Sequence, residues 1–185
     1  SKLGKQPKDI DFVYTTHTHG DHMGWNITWK NGVPEKTFPN AKYLVSKFDF
    51  DYYSENPNDD FNNQILPLKD LGGLELVEGR TEIIKDVFSL PTNGHTPGHQ
   101  SLLLETYDKE KIILTGDLFH NEAQINEQFW CPIFDWNTVM STISRVGLLN
   151  SAYKNQWIIC TGHLSDDKAI GRIQKNNNGF YWAPI

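Results

Sequence analysis

"YTTHTHGDHMGWN", residues 14–26, places three histidines and an aspartate within the six positions 17–22. Imidazole together with carboxylate is the donor set suited to Zn²⁺ and its transition-metal neighbours. The preceding "IDFVYTT" alternates and is rich in β-branched and aromatic residues, which predicts a strand over about residues 10–16. The histidines then occupy a loop at the C-terminal end of that strand, opening toward a short helix after Asp21. The i, i+2 spacing turns His17 and His19 to one side of an extended segment. Asp21 and His22, past the turn at Gly20, can face a second point close by.

The other histidines repeat the placement. His95 and His99 follow the strand-like "FSLPTNG", Asp117 and His120 follow "KIILTG", and His163 follows "WIICTG". All seven histidines of the chain therefore stand at four strand ends, where a rigid scaffold carries functional groups. Five histidines (His17, His19, His22, His95, His163) and two aspartates (Asp21, Asp117) make seven ligands. Three terminal ligands per ion and one bridging carboxylate use the whole set and leave room for water. His99, in "HTPGHQS", reads instead as a residue that supports the turn by hydrogen bonding.

With 185 residues, 38% hydrophobic and 12% aromatic, the chain reads as one globular domain over residues 1–185. A net charge of −6 argues against a protein that lives on nucleic-acid phosphates. No segment approaches the roughly 20 apolar residues of a membrane span. Cys131 and Cys160 form no C-x-x-C pair, and Cys160 reads as a buried free thiol in a strand. They leave the compartment open, with the cytoplasm slightly favoured over secretion.

The remaining periodicity alternates strand and helix, an α/β or α+β organisation. "FPNAKYLVS" predicts a turn and a strand, "KFDFDYYSEN" a helix, and residues 57–60 a loop. "LELVEG" and "EIIKDVFSLPT" predict one strand each, and "QSLLLETYDKEKIILTGD" a hairpin turning at residues 108–111. Val139, Ile143, Val146 and Leu149 recur at helical spacing, which predicts an amphipathic helix over residues 137–154. "GRIQKNNNGFYWAPI" predicts a terminal hairpin with an Asn-Gly turn signal.

"HTHGDH", "GHTPGHQS", "LTGDLFH" and "TGHLS", in this order, resemble the metallo-β-lactamase superfamily, whose signature is H-x-H-x-D-H followed by separate His, Asp and His. The likeness is greatest to its lactonase and methyl-parathion-hydrolase-like branch. It implies an αββα sandwich with the site at one edge, between the two sheets. It implies His17, His19 and His95 on one metal, Asp21, His22 and His163 on the other, and Asp117 bridging. Where the quorum-quenching lactonases carry a substrate-contacting tyrosine three residues after the bridging aspartate, this chain has His120. Family members also place several strands before the H-x-H-x-D-H loop, and only about sixteen residues precede it here. The expectation is a domain whose N-terminal strands are missing from this chain, or are supplied by another polypeptide or a second copy, because an open half-sandwich exposes an apolar face and an unpaired edge.

These readings imply a metal-dependent hydrolase with two divalent ions, Zn²⁺ first and Mn, Fe or Co as alternatives. A hydroxide bridging the ions is the expected nucleophile, since bound Zn²⁺ lowers the pKa of water from about 15.7 to near 7. Asp21 is the candidate to orient it or shuttle its proton, and His120 the candidate acid or substrate donor. Trp25, Trp29, Phe119, Phe129, Trp130 and Phe134 lie near the metal loops in sequence, as pocket walls or as ordinary core. A pocket so walled suits a small, fairly hydrophobic ester or lactone. A phosphotriester or β-lactam would use the same ligands, and a non-catalytic metal-binding relative is the reading from another class.

Overall fold

The computed structural model describes residues 4–185. The chain divides into two compact units, one ending at Glu78 and the other Gly79–Ile185.

The first unit runs through strand β1 (Phe12–Tyr14), helix α1 (Gly20–Met23), strands β2 (Ile27–Lys30), β3 (Val33–Lys36) and β4 (Lys42–Ser46), helices α2 (Lys47–Glu55), α3 (Asp59–Gln64) and α4 (Leu66–Leu71), and strand β5 (Leu74–Val77). β1, β4 and β5 form a parallel sheet in that order. Parallel neighbours need a crossover, and α2 to α4 supply it between β4 and β5. From β4, Tyr43 and Val45 are buried with Phe61, Ile65 and Leu68 of the helical segment, each worth roughly 1.5–3 kcal/mol of apolar burial. Two local readings change. β2 and β3 form an unforeseen hairpin, turned by Asn31 and Gly32 with φ of 52° and 79°, the left-handed pair that a two-residue primed turn requires. The loop expected over residues 57–60 gives way to α3 at Asp59, because Asn58 caps that helix by accepting from the Phe61 N–H at 2.8 Å.

The second unit holds β6 (Glu82–Ile84), β7 (Val87–Pro91), β8 (Gln100–Glu105), β9 (Lys111–Leu114), helix α5 (Thr138–Asn155), β10 (Ile158–Cys160), β11 (Ile170–Asn176) and β12 (Gly179–Pro184). They make one seven-stranded sheet, antiparallel except where β9 and β10 run side by side in parallel. The single strand expected over "EIIKDVFSLPT" is two strands, folded back at Asp86, whose φ is 64°. α5 crosses over between β9 and β10, and its buried residues Leu148, Leu149 and Ala152 join a core with Ile113, Ile159, Ile173 and Trp182.

α5 does not present the face that its apolar spacing suggests. Val139 and Ile143 are each 66% exposed, whereas Ser141 and Arg145 are fully buried. The first turns of α5 bury polar groups because they back onto loops with backbone carbonyls to satisfy, and the apolar inner face begins only at Leu148. Cys131 and Cys160 are free thiols, and burial pushes the half-buried Cys160 thiol upward from its ordinary pKa.

Candidate metal centre

Sheet topology explains why the functional residues of the second unit meet. β7 ends at Pro91 opposite Gln100, where β8 begins, and β9 and β10 end side by side at Leu114 and Cys160. Leu102 of β8 pairs with Leu114 of β9, so these ends lie at one edge of the sheet. The loops that leave this edge carry His95, Asp117 with His120, and His163.

Asp117 is 3% exposed and stands at the centre of the group. Its Oδ2 lies 3.0 Å from His163 Nε2, 3.3 Å from His120 Nε2 and 3.4 Å from His95 Nε2. The His120 ring stacks on His163 with centroids 5.1 Å apart and sits 4.8 Å from the ring of His95. One carboxylate oxygen cannot take three good imidazole hydrogen bonds, and a ring nitrogen that offers a lone pair repels it. A cation among these atoms removes the conflict, and His95, Asp117 and His120 each bring a ligand atom within 4.8 Å of the others. The donor set therefore fits a metal.

His99 is held differently. Its Nε2 lies 3.0 Å from the Asp117 backbone nitrogen, whose N–H can only donate. The ring proton therefore sits on Nδ1, which is 3.0 Å from the Thr92 carbonyl. His99 is a fully buried neutral imidazole that fastens Asp117 to the end of β7, and it has no nitrogen left for a metal.

In the first unit, the loop after β1 holds His17 and His19, and α1 holds Asp21 and His22. The His17 ring is 4.7 Å from that of His19 and 4.2 Å from that of His22, and Asp21 Oδ2 is 3.3 Å from His22 Nε2. At Gly20, the first residue of α1, the Asp60 carboxylate approaches to 2.7 Å from where a Cβ would stand, a close approach that glycine permits. Thr18, between the two histidines, turns the other way: its N–H donates to Asp49 Oδ2 at 3.2 Å and its hydroxyl to the same oxygen at 3.4 Å. β1 and β4 are parallel, so the histidine loop and α2, which carries Asp49, leave the sheet at the same end.

Three contributors escaped the sequence reading. Asp49 is fully buried on α2 beside the exposed Phe48, an inversion that no apolar pattern announces. Asp135 accepts from His95 Nδ1–H at 2.9 Å across 40 residues of sequence. Burial alone would raise the Asp135 carboxyl, but the contacts it receives, the His95 hydrogen bond foremost, hold it below the ordinary carboxylate range. Arg145, on the inner face of α5, lies 3.9 Å from Asp135. Of the six aromatics named from sequence, Phe119 is core, while Trp25, Trp29, Phe129, Trp130 and Phe134 are exposed.

The family model described as the metallo-beta-lactamase superfamily matches residues 1–163. The chain belongs to the metallo-beta-lactamase superfamily. Among curated relatives, it is 29% identical over 162 residues to an N-acyl homoserine lactonase of Bacillus cereus, covering 88% of this chain and 59% of that protein. The chain thus spans well under two thirds of that relative's length. Among solved metallo-beta-lactamase-type structures, the hydrolase AbOPH aligns with all of this chain and 67% of its own at a TM-score of 0.86 and 24% identity, a likeness of fold. An N-acyl homoserine lactone hydrolase with the product N-hexanoyl-L-homoserine bound at its catalytic metal center aligns at a TM-score of 0.68 and 27% identity, over 88% of this chain and 59% of that one.

Proposed function

We propose that this superfamily member is a metal-dependent hydrolase that opens a small, fairly hydrophobic lactone or ester. The observation that carries the reading is the convergence of His95, His120 and His163 on one buried carboxylate oxygen of Asp117, in a chain whose matched relative is a lactonase. His17, His19 and His95 would hold one divalent ion and Asp21, His22 and His163 a second, with Asp117 shared. Zn²⁺ is the first expectation for both. Ions so held supply Lewis acidity for a carbonyl oxygen and make water acidic enough to attack near neutral pH.

The chain's own groups do the rest. Asp21 keeps one carboxylate oxygen to accept a proton from the attacking water. His120, beside Asp117, is the donor to the substrate or leaving oxygen, in the place where a lactonase tyrosine would stand. Phe129, Trp130, Ile133 and Phe134 are exposed on the segment just before Asp135, which is bonded to His95, and they offer an apolar surface to the acyl part of a substrate.

The test is a substrate panel on the full-length protein after zinc reconstitution: N-acyl homoserine lactones of different chain length, aryl esters, phosphotriesters and a β-lactam. Lactone or ester turnover that rises with acyl length and is abolished by chelation supports the proposal. Turnover confined to phosphotriesters or the β-lactam would reassign the substrate, and none with any of them would contradict a hydrolytic role.

A further inference from the structure

Asp135 precedes α5 in a segment that grips the His95 loop from two sides. Its carboxylate takes the His95 Nδ1–H at 2.9 Å, and the next residue, Trp136, donates its backbone N–H to the His95 carbonyl at 3.0 Å. Asn137 N–H adds a bond to the Gly94 carbonyl at 2.9 Å. Gly94 has φ 136°, and a Cβ there would meet the Ser141 nitrogen at 2.1 Å, so the loop lies directly against the start of α5. The buried Arg145 lies behind the Asp135 carboxylate, its Nη2 3.9 Å from Oδ2. Its Nε donates to the Leu118 carbonyl at 3.0 Å and its Nη1 to the carbonyls of Gln128 at 2.8 Å and Trp130 at 2.9 Å. One guanidinium thus ties together the residue after Asp117, the aromatic segment and the partner of His95.

We propose that Asp135, backed by Arg145, is a positioning residue that keeps a proton on His95 Nδ1 and aims the His95 Nε2 lone pair toward Asp117. The proposal rests on the reading of His95 as a metal ligand. The physical reason is the division of labour between the two ring nitrogens. A neutral imidazole has one N–H and one lone pair, and whichever nitrogen donates a hydrogen bond leaves the other for a metal. A carboxylate on Nδ1–H also makes Nε2 more basic and blocks rotation of the ring. His95 Nε2 is the nitrogen that faces Asp117 Oδ2, at 3.4 Å. His99 shows the opposite arrangement in the same turn: its Nε2 is consumed by the Asp117 N–H.

Two measurements on purified protein test this, one without metal and one with zinc alone. In the metal-free protein at about pH 9, above the unperturbed imidazole range, ¹⁵N NMR should find the His95 proton on Nδ1, and Asp135→Ala should remove that preference. Zinc affinity, read by competition with a chromophoric chelator, should fall about 10- to 100-fold in Asp135→Ala. Asp135→Asn keeps the size and an acceptor oxygen but not the charge, so it should retain the Nδ1 proton and lose up to about 10-fold in affinity. It carries the comparison if the alanine variant does not fold. A bare Nδ1 on His95 in the parent protein would overturn the proposal, as would a folded Asp135 variant with unchanged zinc affinity. Parent protein that binds no zinc would defeat the metal reading, while the NMR result would still decide whether Asp135 orients His95.

Discussion

Thr18 shows how a single side chain can organise a ligand loop. In the bend that follows β1, Thr18 is tied to Asp49 while the rings of His17 and His19 lie together, 4.7 Å apart. Asp49→Ala would leave the Thr18 N–H without its acceptor in a buried place. We expect a loss of roughly 1–3 kcal/mol in chemical denaturation, and a variant as stable as the parent would show that the brace is dispensable. His120 is the other residue whose role depends on its surroundings. Its buried Nδ1 has no hydrogen-bond partner among the described residues, its Nε2 lies beside Asp117, and its ring stacks on His163. His120→Phe should lower turnover and alter the pH profile of kcat, and an unchanged profile would remove His120 from the chemistry. The ligand candidates were legible because the histidines, with Asp21 and Asp117 among them, recur at four strand ends of the sequence. The residues that hold them were not, since Asp49 and Asp135 are ordinary acids until the fold brings Thr18 and His95 to them.

Among the elements, α5 is the instructive case. The 3.6-residue period located it well, from an expected 137–154 to the observed Thr138–Asn155, with Asn137 as its cap. The period misjudged the buried face, because Arg145 is buried for its hydrogen bonds to backbone carbonyls and Ser141 lies against Gly94, while Val139 and Ile143 lie outside. Leu149→Ala should therefore cost about 2–5 kcal/mol, against a change within about 0.5 kcal/mol for Val139→Ser. Thermal and denaturant unfolding would measure both, and equal costs would mean that the apolar stripe is the packed face after all. The hairpin of β2 and β3 was readable from "NG" with left-handed turn chemistry, but its short strands alternate too weakly to stand out from a loop. β6 and β7 merged in the sequence reading because Lys85 and Asp86 look like strand interior until Asp86 takes a positive φ.

For the whole molecule, the family and the class of fold followed from motif order, and the fold of solved superfamily members agrees over the full chain. Topology accounts for the convergence within the second unit, since four chain segments meet at one sheet edge through the pairing of β7, β8, β9 and β10. The first unit presents its four groups from the loop that follows β1 and from the short helix α1 that it enters. The central proposal is that these two sets serve a single pair of ions, which neither set has enough ligands to hold alone. The most direct measurement is the zinc content of the full-length protein after metal removal, reconstitution and removal of excess ion. The account predicts two equivalents per chain, falling in both His17→Ala and Asp117→Ala together with activity. One equivalent or less in the parent protein would contradict it.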